Sequence, residues 1–299
     1  MLAAVRSFFA NRNVLEVDTP ILSHAAPIDT HIEVMPVDLG NGEKGYLHTS
    51  PEYAMKRLLA DGIGDIYQLS HVYRLGEAGR LHNPEFTMIE WYRIGFTLEQ
   101  LMDETLELIR LFLGDVPVQV YPYAQAFEKF VGIDYRSATP AQLLAIAEQN
   151  HLPLPSDALS WDKDTHLHFL MGFLIEPRLE GLNLIHDFPG SQAALAQTAL
   201  RGTELVAERF EVYFNGIELA NGFHELTDPV EQRRRFMQAN EERQKLGKRM
   251  LPLDEYFLAA LEKGLPESCG VAVGFDRLLM LKLKKEALSE ILPFSWGDI

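Results

Sequence analysis

Apolar residues recur at helical spacing in several segments of the chain, a pattern that predicts amphipathic helices there. The clearest helix follows Thr97, because Gln100 completes a capping box with it and Gly114 closes the segment. Two other helices follow Pro51 and Asp228-Pro229, since proline suits the first positions of a helix. The predicted helices cover residues 2–11, 52–60, 98–113, 140–150, 164–176, 229–247 and 278–284.

Short apolar or alternating segments between these helices predict strands. The first strand ends at Pro20, which cannot donate to a sheet ladder. Strands near both ends of the chain, without regular β-α-β alternation, predict an α+β fold in which helices flank an antiparallel sheet. Residues 115–180 contain two of the helices and a Pro-rich linker at 152–155, so they predict an inserted helical subdomain. The predicted strands cover residues 14–20, 66–69, 85–92, 182–188, 210–224 and 270–277.

Composition narrows the class of protein. The chain has 299 residues, of which 47% are hydrophobic, enough for a substantial core. No segment approaches 18 consecutive apolar residues, and the N-terminus has no signal-peptide pattern. The single cysteine, Cys269, excludes an intrachain disulfide and fits a core position. We therefore expect a cytoplasmic protein without a membrane segment.

The net charge of -16 argues against broad binding to nucleic acid, which depends on lysine and arginine. It is compatible with a local basic cleft and favours a macromolecular partner with a basic surface. The simpler alternative is that the acidity serves solubility. No glycine-rich phosphate loop of the Walker or dinucleotide type is present, and the ten histidines lack zinc-type spacing.

The segment from residue 74 to residue 92 concentrates the chemistry. Arg74, Arg80 and His82 can neutralise phosphates, because guanidinium groups match phosphate oxygens. An aromatic side chain, Phe86, can stack on a base, and Glu90 with the nearby Tyr92 can hold a cationic amine. These residues predict a site for a nucleoside triphosphate beside an amino compound.

Three glutamates, Glu211, Glu218 and Glu225, are spaced seven residues apart. The dipeptide Asn215-Gly216 predicts a type I′ hairpin, which would place the first two carboxylates on one face, roughly 7 Å apart at the backbone. A magnesium ion between them would relieve their repulsion; two hydrated surface glutamates are the alternative. Bringing Glu225 to the same face requires a bulge at Asn221-Gly222, which we predict.

Near the C-terminus, a glycine-rich strand leads into a helix that begins close to Arg277. The N–H groups at a helix N-terminus favour anions, and glycines allow the backbone to approach a ligand. Arg277 is therefore a second candidate phosphate ligand, with an ordinary surface arginine as the alternative.

With these residues in view, the chain resembles the catalytic domain of the class II lysyl-tRNA synthetases. The resemblance covers nearly the whole chain and is weakest over 115–205. Glu16 to Pro20 looks like the family's motif 1, which builds a dimer interface. The segments Arg209–Glu211 and Gly216–Leu226 also look like this family. By this resemblance the whole chain is one catalytic domain, with motif 1 at about 1–24, motif 2 at about 66–95, the helical insert at about 115–180 and motif 3 at about 268–285.

The resemblance implies a role for each candidate residue. Arg74 and Arg277 would be catalytic, holding the α- and γ-phosphates of ATP, and Glu211 and Glu218 would hold Mg²⁺. The implied ATP-binding set is Arg74, Glu77, His82, Asn83, Phe86, Glu218, Leu219, Gly274 and Arg277. The implied set for a lysine-like substrate is Ser50, Pro51, Glu52, Glu90, Tyr92, Glu225 and Ala272.

Three departures from the synthetases refine this interpretation. Motif 1 begins within the first twenty residues, so we expect no anticodon-binding domain. Ala272 stands where lysyl-tRNA synthetases usually carry glycine, and one methyl group shifts substrate preference by about 1–3 kcal/mol. Gly76 replaces the usual motif 2 glutamate, and Glu77 could serve only if the loop shifts.

The first two departures match the synthetase paralogues that modify elongation factor P. By this resemblance we expect an ATP- and Mg²⁺-dependent ligase that activates (R)-β-lysine, or lysine, and transfers it to a lysine side chain of that factor. We expect a homodimer that does not bind tRNA through its anticodon. The chain begins about a helix turn or more later than these relatives, which leaves a missing N-terminal segment or a different start codon open. The alternatives are a truncated synthetase that charges tRNA and a catalytically silent amino-acid-binding paralogue.

Overall fold

The computed structural model describes residues 1–40 and 42–299, which form two compact units. Unit 1 contains Met1–Gly114 and Gly222–Ile299, and unit 2 contains Asp115–Asn221. The helical insert predicted at 115–180 lies inside unit 2, which continues beyond it and includes strands.

The first part of unit 1 confirms the three predicted helices. The capping box at Thr97 is present, since its hydroxyl accepts from Gln100 N and its N–H donates to the Gln100 side chain. The strand predicted at 14–20 is shorter than expected. Beyond its paired residues, Thr19 N donates to the side chain of Gln68 instead of to a ladder, and Pro20 has no N–H to donate. The elements are α1 (Leu2–Ala10), β1 (Leu15–Glu16), β2 (Leu22–Ser23), β3 (Met35–Gly40), β4 (Glu43–Leu47), α2 (Glu52–Ala60), β5 (Ile66–Tyr73), β6 (Glu85–Ile94) and α3 (Leu98–Leu113).

Unit 2 differs from the prediction at its start, where a strand and a helix precede the two predicted helices. The helix predicted at 164–176 ends at Leu170 and continues as a π-helical segment, Met171–Ile175. Gly172 weakens the α-helix there, and Pro177 has no N–H to continue it. The elements are β7 (Val118–Pro122), α4 (Tyr123–Phe130), α5 (Pro140–Gln149), α6 (Lys163–Leu170), β8 (Leu182–Pro189), β9 (Thr198–Arg201), β10 (Glu204–Phe214) and β11 (Ile217–His224).

The strand predicted at 210–224 is a hairpin of β10 and β11. Its turn residues, Asn215 and Gly216, have φ of 48° and 76°, as a type I′ turn requires. A side chain at residue 216 would collide with the backbone of Glu176, so glycine is also needed for packing. The unit boundary falls within β11.

The last part of unit 1 contains the helix predicted after Asp228. The carboxylate of Asp228 caps this helix by accepting from the N–H groups of Val230 and Glu231. The sequence did not predict the helix at 255–264. The predicted terminal helix begins earlier, at Phe275. The elements are α7 (Pro229–Lys245), α8 (Glu255–Gly264), β12 (Ser268–Gly274) and α9 (Phe275–Lys282).

The sheets are mainly antiparallel. In unit 1 the strand order is β1-β5-β6-β12, with β1 parallel to β5 and the other pairs antiparallel, and β2-β4-β3 form a small antiparallel sheet. In unit 2 the order is β11-β10-β8-β7, with β9 on β10 and a parallel β7–β8 pair. The predicted α+β fold, an antiparallel sheet flanked by helices, is confirmed.

The two faces of the unit 1 sheet have different chemistry, because side chains alternate along each strand. On one face Phe9 of α1 stacks on Tyr67 with ring centroids 4.2 Å apart, and Trp91 donates to Glu104 of α3. This face is part of the core, to which the predicted core residue Cys269 also belongs. The opposite face carries the even-numbered residues of β6, including Glu90. No helix in the described part of the chain is long and apolar enough to span a bilayer.

Candidate active site

Small residues of β12 leave room over one face of the unit 1 sheet. Gly270 pairs with Tyr92, and Ala272 pairs with Glu90. A Cβ at residue 270 would collide with the ring of Tyr92 and with Oε1 of Glu225. Only glycine permits this close approach, so the Gly-x-Ala pattern of β12 shapes the space in front of β6.

Four ionisable side chains meet in this space, and we call them the acidic pocket: Glu52, Lys56, Glu90 and Glu225. Glu52 and Lys56 lie one turn apart on α2, so they share a helix face. The ammonium nitrogen of Lys56 is 2.5 Å from Glu52 Oε1 and 2.5 Å from Glu225 Oε2. Glu225 follows β11, and its N–H donates to Ser268 O of β12. The predicted substrate residues Glu52, Glu90 and Glu225, which lie on three separate segments, therefore come together.

Glu90 is held by two neutral donors. Ser50 Oγ donates to Glu90 Oε2 and Tyr92 OH donates to Glu90 Oε1, each over 2.7 Å. Burial and the nearby charge of Glu52 raise the pKa of Glu90 to about 7, against the opposing effect of these donors. Pro51 is buried before α2, and Ser50 also accepts from Glu52 N.

Burial and charge act in opposite directions on the pKa values of Glu225 and Lys56. Burial raises the pKa of Glu225 to about 8, although the charge of Lys56 opposes the shift. Burial alone would lower the pKa of Lys56, but the charges of Glu225 and Glu52 outweigh it and raise that pKa. The acidic pocket thus contains three carboxyl groups and one ammonium group, and it favours additional positive charge or protons.

The candidate nucleotide residues form two groups in unit 1. The guanidinium carbon of Arg74 lies 5.0 Å from the ring centroid of Phe86, and its terminal nitrogen is 4.0 Å from Glu77 Oε1. Gly76, which stands between Arg74 and Glu77, has φ of 81°, a conformation that glycine adopts readily. Among the described residues, Nε of Arg74 is buried without a hydrogen-bond partner.

The second group joins motif 3 to the motif 2 loop. Arg277 donates to Leu81 O over 3.3 Å and lies 2.9 Å from Nε2 of His82. Burial and the charge of Arg277 lower the pKa of His82, so a neutral His82 accepts from Arg277. Asn83 donates to Glu85 O, and its side-chain oxygen accepts from Trp296 N.

Two further residues, Gly274 and Leu219, were predicted to bind ATP. Gly274 ends β12 opposite Met88, immediately before α9. Leu219 is buried in β11, within unit 2, so its side chain faces the interior.

The predicted metal ligands line a separate feature of unit 2, which we call the acidic cavity: a space of about 80 Å³ bordered by Glu176, Glu211 and Glu218. Arg209 and Tyr213 donate to the two oxygens of Glu211. Burial, followed by the charges of these three glutamates, raises the pKa of Tyr213 well above its usual value, so its hydroxyl remains a donor.

Carboxylate oxygens are the ligands that Mg²⁺ prefers, and this ion usually takes one or two of them while keeping water and phosphate oxygens. Glu211 and Glu218 on one cavity fit that donor set. Within residues 1–40 and 42–299, no cluster of three or more His, Cys, Asp or Glu side chains has the arrangement of a metal site. The bulge predicted at Asn221-Gly222 stays a prediction.

Sequence reasoning assigned no site role to Lys56, Arg209 or Gly270. The only sequence signal for Lys56 is its position four residues after Glu52, which is also typical of a solvated helix face. The burial of Lys56 comes from distant segments, including Phe257 of α8, whose ring centroid lies 5.9 Å from the ammonium nitrogen.

Known proteins resemble this chain over nearly its whole length. A protein of Edwardsiella ictaluri, named elongation factor P–(R)-β-lysine ligase, is 47% identical over 302 residues, which cover 99% of this chain and 92% of the relative. Proteins with the same name from Pasteurella multocida and Haemophilus influenzae are 45% and 43% identical, covering 98% and 99% of this chain and 92% of each relative. Residues 1–296 match the family described as class II tRNA synthetases (D, K and N). The chain therefore belongs to the class II tRNA synthetase family of the D, K and N type.

Proposed function

We propose that this protein is an ATP-dependent ligase that activates (R)-β-lysine as an adenylate and transfers it to a lysine side chain of elongation factor P. The amino acid and the acceptor come from the names of relatives that are 43–47% identical to this chain. The structural observation that supports the proposal is the acidic pocket, where two of three buried carboxyl groups pair with one buried ammonium group.

The acidic pocket suits a substrate with two amino groups. Glu90, Glu225 and Glu52 offer carboxylate oxygens, and Tyr92 and Ser50 hold Glu90 in place. Charge-assisted hydrogen bonds from ammonium groups are stronger than neutral ones, particularly in a buried site. A monoamino acid would leave one of these carboxyl groups without a cation, which costs binding free energy.

The proposed reaction has two steps. The carboxylate oxygen of β-lysine attacks the α-phosphorus of ATP, forming the adenylate and releasing pyrophosphate. The amine of the acceptor lysine then attacks the adenylate carbonyl, forming an amide bond and releasing AMP. No protein nucleophile is required, because positioning and charge neutralisation lower the barrier.

The nucleotide residues take simple roles in this proposal. Arg74 binds the α-phosphate, since a guanidinium fork matches phosphate oxygens, and its buried Nε has a hydrogen bond left to donate. Phe86 stacks on adenine beside Asn83. Arg277, held by His82 and placed at the start of α9, binds the γ-phosphate, with Gly274 allowing close approach.

Glu211 and Glu218 are proposed to hold Mg²⁺. A bound Mg²⁺ would neutralise phosphate charge and favour departure of pyrophosphate. Arg209 and Tyr213, through their hydrogen bonds to Glu211, would orient that ligand.

The proposal also includes a homodimer, a cytoplasmic location, and a single catalytic domain that does not bind tRNA through the anticodon. Light scattering in solution tests the dimer, and tRNA competition in the ligation assay tests the last point.

The decisive experiment is intact-mass analysis of elongation factor P after incubation with the protein, Mg-ATP and either (R)-β-lysine or α-lysine. A gain of one lysyl residue, larger with the β isomer and independent of tRNA, is expected. Arg74→Ala should abolish the gain, whereas the exposed Arg234→Ala should not. Adenylate formation without modification of the factor would point to another acceptor, and no adenylate with any amino acid would indicate a silent paralogue.

A further inference from the structure

Lys56 is the only cation of the acidic pocket among the described residues, and it has no solvent exposure. Its ammonium nitrogen contacts one oxygen of Glu52 and one oxygen of Glu225, each at 2.5 Å. The rings of Tyr92 and Phe257 lie 6.0 Å and 5.9 Å from that nitrogen, measured to their centroids. A lysine held this way is fixed in position by charge and by packing.

The contact with Lys56 also determines how Glu225 points. Oε2 faces the ammonium group, while Oε1 lies over Gly270, where even a methyl group would collide with it. Oε1 therefore faces the sheet surface on which Glu90 and Tyr92 lie. In the same way, Lys56 fixes one oxygen of Glu52.

The ionised pocket has a simple charge count. Glu52, Glu90 and Glu225 contribute three negative charges and Lys56 one positive charge, so the balance is two negative charges. Both amino groups of a diamino acid are protonated at neutral pH, which supplies two positive charges. Without Lys56 the balance would be three, and the substrate would leave one buried carboxylate uncompensated.

We infer that Lys56 is a positioning residue that determines specificity: it orients Glu52 and Glu225 and sets the charge of the acidic pocket to match a substrate with two ammonium groups. This inference rests on the proposed function, because it specifies how the same pocket selects its amino acid.

Protonation provides a measurable consequence. Glu225 faces Lys56, Glu52 and Glu90, and its pKa is about 8 because burial outweighs the charge of Lys56. Tyr92 remains neutral, since burial and the carboxylates raise its pKa well above the usual value. Removing the ammonium group would raise the pKa of Glu225 further, so the ionised pocket would form only at higher pH.

The test compares Lys56→Met, which keeps side-chain length without the charge, with Lys263→Met, which removes an exposed lysine. Amino-acid-dependent ATP–pyrophosphate exchange is measured from pH 6.5 to 8.5 with (R)-β-lysine and with 3-aminohexanoate, its monoamine analogue. For Lys56→Met we expect the KM for β-lysine to rise about tenfold or more at pH 6.5 relative to wild type. This ratio should shrink as pH rises, and the preference for the diamine should fall. Lys263→Met should match wild type.

A second variant, Glu52→Gln with Lys56→Met, removes one charge of each sign and restores the balance of two. It keeps the net charge of the empty pocket at the wild-type value, so it should fold even if Lys56→Met does not. Its KM ratio to wild type should no longer depend on pH. A KM that is unchanged in Lys56→Met, or raised equally at every pH in both variants, would overturn the inference.

Exchange does not require elongation factor P, so the two proposals can fail separately. If the wild-type protein activates β-lysine but leaves the factor unmodified, the acceptor is wrong and the role of Lys56 is still testable. If the wild-type protein prefers 3-aminohexanoate, the role of Lys56 is wrong.

Discussion

The acidic pocket of unit 1 and the acidic cavity of unit 2 each gather three glutamates, but they differ in the cation that accompanies them. In the acidic pocket, Lys56 places one compact charge between two carboxylates. In the acidic cavity, Arg209 donates to Glu211 and also to the neutral oxygens of Asn221 and Gln192. An ammonium group is a point charge, whereas a guanidinium group is a planar fork that aligns several acceptors.

This difference indicates what each cluster is suited to bind. The acidic pocket contains aromatic rings and neutral donors such as Tyr92, surroundings that suit an organic diamine. The acidic cavity has a volume of about 80 Å³ and presents hard oxygen ligands, which suit a small divalent ion. We infer that the two proposed binding functions are separated by the geometry of the neighbouring cation, since both clusters have the same number of carboxylates.

Among the variants that distinguish the acidic pocket from the acidic cavity, we expect the largest loss of activity from Glu225→Gln. Losing one partner of a buried charge pair costs about 2–5 kcal/mol, so kcat/KM for (R)-β-lysine in the exchange assay should fall about 100-fold or more. The Mg²⁺ concentration for half-maximal rate should not change, because Glu225 belongs to the acidic pocket. An altered Mg²⁺ requirement in this variant would show that the two clusters do not act separately.

The reciprocal change is Glu218→Gln in the acidic cavity. The number of charged ligands sets the affinity of a carboxylate site for a hard cation, so the Mg²⁺ concentration for half-maximal exchange should rise about tenfold or more. The KM for β-lysine at saturating Mg²⁺ should stay within about twofold of wild type. Glu231→Gln, on the surface of α7, is the matched control, and the same rise there would contradict the metal assignment.

The acidic pocket should also make the stability of the protein depend on pH. Glu90 and Glu225 have folded pKa values of about 7 and about 8, above the ordinary value. The folded protein therefore binds more protons than the unfolded chain, and their stabilising contribution, present at low pH, is lost as pH rises through 7 to 8. For Glu90 this amounts to on the order of 3 kcal/mol.

Thermal unfolding of the ligand-free protein measures this effect. Between pH 5.5 and pH 9, the melting temperature of wild type should fall more steeply than that of Glu90→Gln, and β-lysine should stabilise wild type more at high pH. Parallel pH profiles for the two proteins would mean that Glu90 is ionised in the empty pocket.

The parts of the fold that the sequence predicted are those that local contacts determine. Helix α3 has its N-cap, capping box and terminal glycine within its own segment, and the Asn215-Gly216 turn needs only two residues with positive φ. In contrast, β1 extends only as far as β5 pairs with it. The sequence did not predict β7 and α4, which pack on β8 from more than fifty residues away.

The candidate site shows the same contrast between features that local sequence determines and features that long-range packing determines. Sequence motifs predicted Glu52, Glu90 and Glu225, and the structure brings them together. The role of Lys56 could not be predicted, because its burial depends on Tyr92 from β6 and on a helix that the sequence did not reveal. Long-range packing converts an ordinary Glu-Lys spacing into a buried charge cluster.

The smallest effect concerns the shape of the acidic pocket and leaves its charge unchanged. Ala272 pairs with Glu90 across β12 and β6, so its methyl group lies beside a carboxylate that would hold an amine. We expect Ala272→Gly to shift the ratio of kcat/KM for (R)-β-lysine over α-lysine toward α-lysine by about fivefold, corresponding to about 1 kcal/mol, the low end for one methyl group in a substrate pocket. Ala54→Gly in α2 is a control for the same change outside the pocket. If the ratio stays constant in Ala272→Gly while the control behaves like wild type, the β-amino preference is determined by the charged groups, and Lys56 becomes the first residue to examine for it.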